Sequence, residues 1–166
     1  MSSTTTISTR LDSWVAFLRS HSAITRQLNA ELLAAHGLTL NDYEVMLFLS
    51  KAEGRMMRRV DLAQSVILTA SGITRLLDGL EQDGFVCKAA CETDARVSYA
   101  QLTDAGVQKL AEAAVTHLQG VDDIFTNRFT GEELDALAGM LRRLPQRGRD
   151  GAVSSRDCGA PEPCGA

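Results

Sequence analysis

From Leu11 onward apolar positions recur with a helical period. Leu11, Trp14, Val15, Leu18, Leu28 and Leu32 fall on one stripe that also carries His21 and Thr25, and Gly37 closes the segment. A helix of that length with a heptad-like stripe is too long for a small isolated domain, and predicts packing against a second chain. Thr39 is the expected N-cap of a second helix, with Asp42 at the capping-box position. Lys51-Ala52-Glu53-Gly54 reads as a turn. A short third helix is expected over Arg59–Ser65, followed by a bend at Val66-Ile67-Leu68. A fourth, capped by Thr69, runs to about Asp83, with Ile73, Leu76, Leu77 and Leu80 inward and Gly84 as its stop.

After Gly84 the period changes from helical to alternating. Phe85–Lys88 and Val97–Leu102 are short and carry β-branched and aromatic residues around a polar turn at 90–95, the signature of a β-hairpin. Thr103 then caps a fifth helix with Val107, Leu110, Ala114, Leu118 and Val121 inward. Thr130-Gly131-Glu132-Glu133 is a capping box for a sixth, which bears Leu134, Leu137, Leu141 and Leu144 and ends at Pro145.

Composition narrows the possibilities. The chain has 166 residues, enough for one domain with an appended element. Its apolar residues are mostly Leu, Ala and Val, which favours helix. The formal net charge of −4 excludes a uniformly basic nucleic-acid coat protein but leaves room for a locally basic reading face. No run of 18 apolar residues offers a membrane span, and the Ser/Thr-rich start lacks the basic and apolar regions of a secretory signal. A cytoplasmic location is therefore expected, with the four cysteines as reduced thiols.

The order helix, helix, short helix, bend, helix, hairpin predicts a mainly α fold containing a winged helix-turn-helix. The fourth helix of such a unit enters a major groove of double-stranded DNA, with its first turns on the base edges. Here the outward residues at its start are Thr69, Ala70, Ser71, Thr74 and Arg75. Small hydroxyls and one guanidinium suit base-edge and phosphate contact, although a solvated helix face has the same composition. Cations and anions balance between residues 51 and 99. DNA binding therefore requires Arg55, Arg58, Arg59, Arg75, Lys88 and Arg96 to face the duplex and the acids to face away.

With these residues in place, the segment 38–106 resembles the MarR family of transcriptional regulators. The matching pieces are Leu38-Thr39, Asp61-Leu62-Ala63, Ser71-Gly72-Ile73-Thr74-Arg75-Leu76-Leu77-Asp78, Leu80-Glu81-Gln82-Asp83-Gly84-Phe85-Val86, Asp94-Ala95-Arg96 and Leu102-Thr103-Asp104-Ala105-Gly106. The sequence departs from the family where adjacent arginines usually follow the wing aspartate, since only Arg96 is present, and at Gly79, where many members carry Arg. The resemblance implies a winged helix-turn-helix lobe at 38–103 and a helical dimerisation layer from 10–36 and 104–144, flanked by disordered ends at 1–9 and 145–166. It also implies a homodimer on a pseudo-palindromic operator that acts most often as a repressor, and release by a small aromatic or phenolic effector bound between the two layers. Trp14, His21 and Asp61 are the candidates for that crevice. A dimer core would equally place Trp14 where it stands, and a lone His on an apolar stripe is more often structural.

Two further readings stay open. Cys87 and Cys91 bracket the first wing strand and its tip, so a thiol pair there would make the regulator responsive to oxidants. A Cys-x3-Cys pair alone does not make a zinc site, and neither a metal nor a cofactor is expected. The weak net charge of the lobe would suit a winged-helix module that binds proteins instead of DNA. No Gly-rich phosphate loop, paired Cys-x2-Cys set or nucleophile motif suggests an enzyme.

Overall fold

A computed structural model describes residues 3–66, 70–90 and 98–145. Among these, the element order is α1 (Ser3–His36), α2 (Leu40–Lys51), β1 (Met56–Arg58), α3 (Arg59–Ser65), α4 (Ala70–Gln82), β2 (Val86–Ala90), β3 (Ser98–Leu102), α5 (Asp104–Ile124) and α6 (Gly131–Leu141). The expected mainly α architecture with a small wing is present.

Local chemistry sets the joints. Gly37, at φ 69°, takes the left-handed conformation that ends α1, and its N–H donates to the Leu33 carbonyl at 3.0 Å. Thr39 then starts α2 with a full capping box: its hydroxyl accepts from the Asp42 N–H at 3.1 Å, and its own N–H donates to the Asp42 carboxylate at 2.8 Å. The Leu40 N–H, another orphan of that helix start, donates to the side chain of Asn29 on α1 at 2.9 Å, so the α1–α2 angle is held by a hydrogen bond as well as by packing. The capping box of α6 forms as expected from Thr130 and Glu133.

Three features differ from the sequence expectation. The segment 3–9, expected to be a disordered start, is helical as the first turns of α1. It contains neither Gly nor Pro, and adding turns to a nucleated helix is cheap. A third strand, β1, joins the hairpin in the order β1-β3-β2, all antiparallel. At three residues it is too short to show a period. On α5 the inward set includes Gly106, Leu110, Ala113 and Gly120, whereas Leu118 is 60% exposed.

Cross-strand partners share a sheet face. The registers Met57↔Ala100↔Lys88 and Val86↔Leu102 put Met57, Val86, Ala100 and Leu102 on the face that meets the core. That core joins Leu32, Leu38, Val45, Met46, Leu49, Leu62 and Leu77, each at most 2% exposed. The opposite face carries a smaller cluster of Ala89 and Tyr99 with Met56. The second half of α1 packs on α2 and α5. Its earlier part presents Leu11, Trp14, Val15, Phe17 and Leu18 to solvent.

Candidate nucleic-acid interface

The α3–α4 pair is built from its inward residues. Leu62, Ala63 and Val66 from α3 and its end, with Ile73, Leu77 and Leu80 from α4, are all buried. Fixing that stripe inward turns Ser71, Thr74 and Arg75 outward on the first turns of α4, where all three are exposed. Thr69, Cys91 and Arg96 lie outside the described residues.

The other basic side chains fall into three environments. Arg55 sits at φ 57° directly after Gly54 at φ 62°, in the turn that ends α2, and its guanidinium pairs with Asp104 in the first turn of α5 at 2.7 Å. Arg58 and Arg59 start α3. The Nε of Arg58 and one terminal nitrogen of Arg59 are buried and have no hydrogen-bond partner among the described residues. Lys88 projects from β2 toward α4, with its ammonium 2.8 Å from Glu81 and 3.2 Å from Asp78. Hydrogen bonds to Glu81 and Asp78 push its pKa above the ordinary lysine value. Sequence reasoning did not find these acid partners. In the sequence Asp104 stands out only as part of the family-matching piece Leu102–Gly106, and nothing in one-dimensional spacing pairs residue 88 with residues 78 and 81.

The effector candidates lie on different elements. Trp14 and His21 flank Phe17 along the exposed part of α1, at ring separations of 6.1 and 6.4 Å. Asp61 is in the first turn of α3. The packing partners of α1 are α2 and α5, while those of α3 are α2, α4 and the sheet. A polar group that the sequence did not signal joins α1, α2 and α5: His36 and Thr116 share a hydrogen bond of 2.7 Å, and the His117 ring lies 4.5 Å from that of Tyr43. Burial lowers the His117 pKa and raises those of Tyr43 and Glu44. Cys87 is half-buried on β2 and disulfide-bonded, which corrects the expectation of four reduced thiols at this residue. Compartment sets the reductant pool around a thiol, whereas the pairing of a given sulfur depends on tertiary geometry that spacing alone does not give. Cys158 and Cys164, like Cys91, lie outside the described residues.

No family model matches the chain. Individual proteins do. AbsC of Streptomyces coelicolor, a MarR family transcriptional regulator, is 31% identical and superposes with a TM-score of 0.75 over 81% of this chain and 90% of its own. The chain belongs to the MarR family of transcriptional regulators.

Two other relatives agree with this placement. Sco3205, a MarR family regulator from the same organism solved in complex with DNA, is 25% identical with a TM-score of 0.75, over 79% of this chain and 82% of its own. The transcriptional repressor YetL of Bacillus subtilis is 30% identical over 69% of this chain and 68% of its length. This MarR-family protein is accordingly a DNA-binding transcriptional regulator and not an enzyme. In this winged-helix fold α4 packs against the short α3, and β2 and β3 form the stem of the wing.

Proposed function

We propose that the protein is a repressor that binds a pseudo-palindromic operator as a homodimer. Each α4 lies in a major groove, with the wings on flanking DNA. The observation that carries this reading is the outward run Ser71, Thr74 and Arg75 on a helix anchored by Ile73, Leu77 and Leu80. Arg58 and Arg59, both partly exposed at the start of α3, add positive charge beside α4, which supports phosphate contact there. YetL is named a repressor, which supports the same sign of regulation here. The exposed apolar positions of α1 and α5 support a second copy as partner, and the cytoplasm is where such a complex would act. In that dimer Trp14 and His21 of α1, with Asp61 of α3, are the groups offered to a small aromatic or phenolic effector. An aromatic ring stacks on Trp14, and binding displaces the lobes from their DNA spacing.

The test starts from duplexes recovered from a random-sequence pool by the wild-type protein. Arg75→Ala should weaken binding to the recovered duplex by roughly tenfold or more, and should relax the base preference at one position in each half-site. Unchanged affinity and unchanged preference would remove α4 as the reading element.

One observation favours a second reading, in which the signal is oxidative: Cys87, on the strand that leads into the wing tip, is disulfide-bonded. Reducing the protein with dithiothreitol before the same titration should then change its affinity, and Cys87→Ser should abolish that change. Identical affinity of the oxidised and reduced forms would leave the effector reading alone.

A further inference from the structure

Lys88 differs from the other basic residues of the lobe. It is on the sheet face that Val86, Ala100 and Leu102 turn toward the core, so its side chain is directed to α4 rather than away from the body of the protein. There it meets two carboxylates at once, Glu81 at 2.8 Å and Asp78 at 3.2 Å. Asp78 follows Arg75 by three residues and Thr74 by four, so it stands on the same side of α4 as the base-reading turn. Glu81 is the more enclosed of the two acids. One of its oxygens takes the Lys88 bond, and the other is buried without a partner among the described residues. Arg75 is the one cation of α4 itself, and the DNA reading directs it outward.

We propose that Lys88 is a positioning residue for DNA binding: it neutralises the carboxylates of Asp78 and Glu81 behind the reading turn and ties the wing hairpin to α4, and it does not serve as a phosphate contact. The proposal rests on the DNA-binding reading above. Without Lys88, two adjacent carboxylates would stand uncompensated beside the groove edge and repel the approaching phosphates, while the hairpin would lose its polar tie to the helix that it must follow into the duplex.

The experiment uses the full chain and a fluorescein-labelled duplex recovered from a random-sequence pool by the wild-type protein. Affinity is titrated at several salt concentrations for wild type, K88M, K88R, D78N/E81Q and the triple variant. K88M should bind roughly tenfold or more weakly at low salt, because like charges then face each other. The penalty should shrink as salt rises and screens them. K88R should recover binding to within about threefold, since a guanidinium can serve both acids. In the D78N/E81Q background the same Lys88→Met change should alter affinity by less than about twofold, because no charge remains to be neutralised. An equal loss in both backgrounds, with the salt slope falling by about 0.9, would make Lys88 a phosphate contact and overturn the proposal. A loss that persists unchanged at high salt would reduce Lys88 to a packing role, and no loss in either background would leave it without a role. A wild-type protein that enriches no duplex would overturn the DNA-binding reading, and this proposal with it.

Discussion

At the scale of single residues, the same substitution should have opposite signs at two glycines. A Cβ at Gly106 would collide with the Phe85 carbonyl oxygen and come within 2.7 Å of a Leu102 methyl, so the first turn of α5 sits directly on the base of the wing. Helix propensity alone would reward Gly→Ala by about 1 kcal/mol. Overpacking against backbone opposes this by about 1–3 kcal/mol and should win. Gly139, exposed in the last turn of α6, has no atom within 4 Å of the same Cβ. Gly106→Ala should therefore lower the urea midpoint and Gly139→Ala should raise it. His117 gives a second residue-scale prediction. Burial lowers its pKa below the ordinary value of 6.5, and its Nδ1 is buried without a partner among the described residues. As pH falls below about 6.5 the unfolded chain takes up a proton that the folded protein resists, so this residue removes stability on acidification. Glu44 acts in the opposite sense, since burial raises its pKa and its protonation relieves the folded state. His117→Phe keeps a ring against Tyr43 and removes only the first effect. Between pH 7 and pH 5 the variant should therefore gain stability relative to wild type in urea unfolding, and an unchanged difference would place the imidazole in water.

At the scale of elements, the joints that hydrogen bonds define were the most legible. Thr39 with Asp42, Thr103, and Thr130 with Glu133 each mark a helix start by side-chain chemistry that acts within a few residues, and each cap forms. α3 occupies the expected Arg59–Ser65, and the two hairpin strands, Val86–Ala90 and Ser98–Leu102, fall within two residues of the segments that the change of period marked. Longer-range features left no such mark. β1 exists because β3 offers an open edge beside it, and its pairing of Met57 with Ala100 spans a distance in sequence that no local window covers. Asn29 reads as an ordinary polar position on α1, yet it accepts from the Leu40 N–H across the α1–α2 turn. Replacing it with Ala would leave that N–H without a protein acceptor and should lower stability by about 1 kcal/mol, read as a shift in the thermal midpoint. If Asn29→Ala melts with wild type, packing alone sets the α1–α2 angle. The outward residues of α4 were legible, because its inward stripe dictates them. The partition of the cations was not, since pairing Lys88 with α4 and Arg55 with α5 requires the tertiary fold.

At the scale of the whole molecule, the unresolved balance is between apolar surface and water. Trp14 is 56% exposed, Leu11 57% and Leu118 60%, and Val15, Phe17, Leu18, Val115 and Met140 are exposed as well. One chain leaves these positions bare because the packing partners of α1 within it engage the second half of that helix. So many large side chains on the terminal helices are unusual for a monomer and have the character of an interface. The helical stripe anticipated this: Leu28 and Leu32 continue the spacing of Trp14 and Leu18 but are buried within the chain, so one period serves two different partners. The expected solution state is a dimer of the 17.9 kDa chain. Trp14→Glu with Leu18→Glu should convert it to a monomer in sedimentation while far-UV circular dichroism remains close to wild type, since neither residue belongs to the intrachain core. Splitting the dimer also separates its two reading heads. Binding to a two-half-site duplex should then fall by about 10²–10⁴, the advantage that linkage gives the second contact, while binding to a single half-site changes far less. If wild type sediments as a stable monomer, or if the double variant loses affinity for one and two half-sites equally, the apolar face serves something other than a second copy, and two-fold reading of an operator has no structural basis.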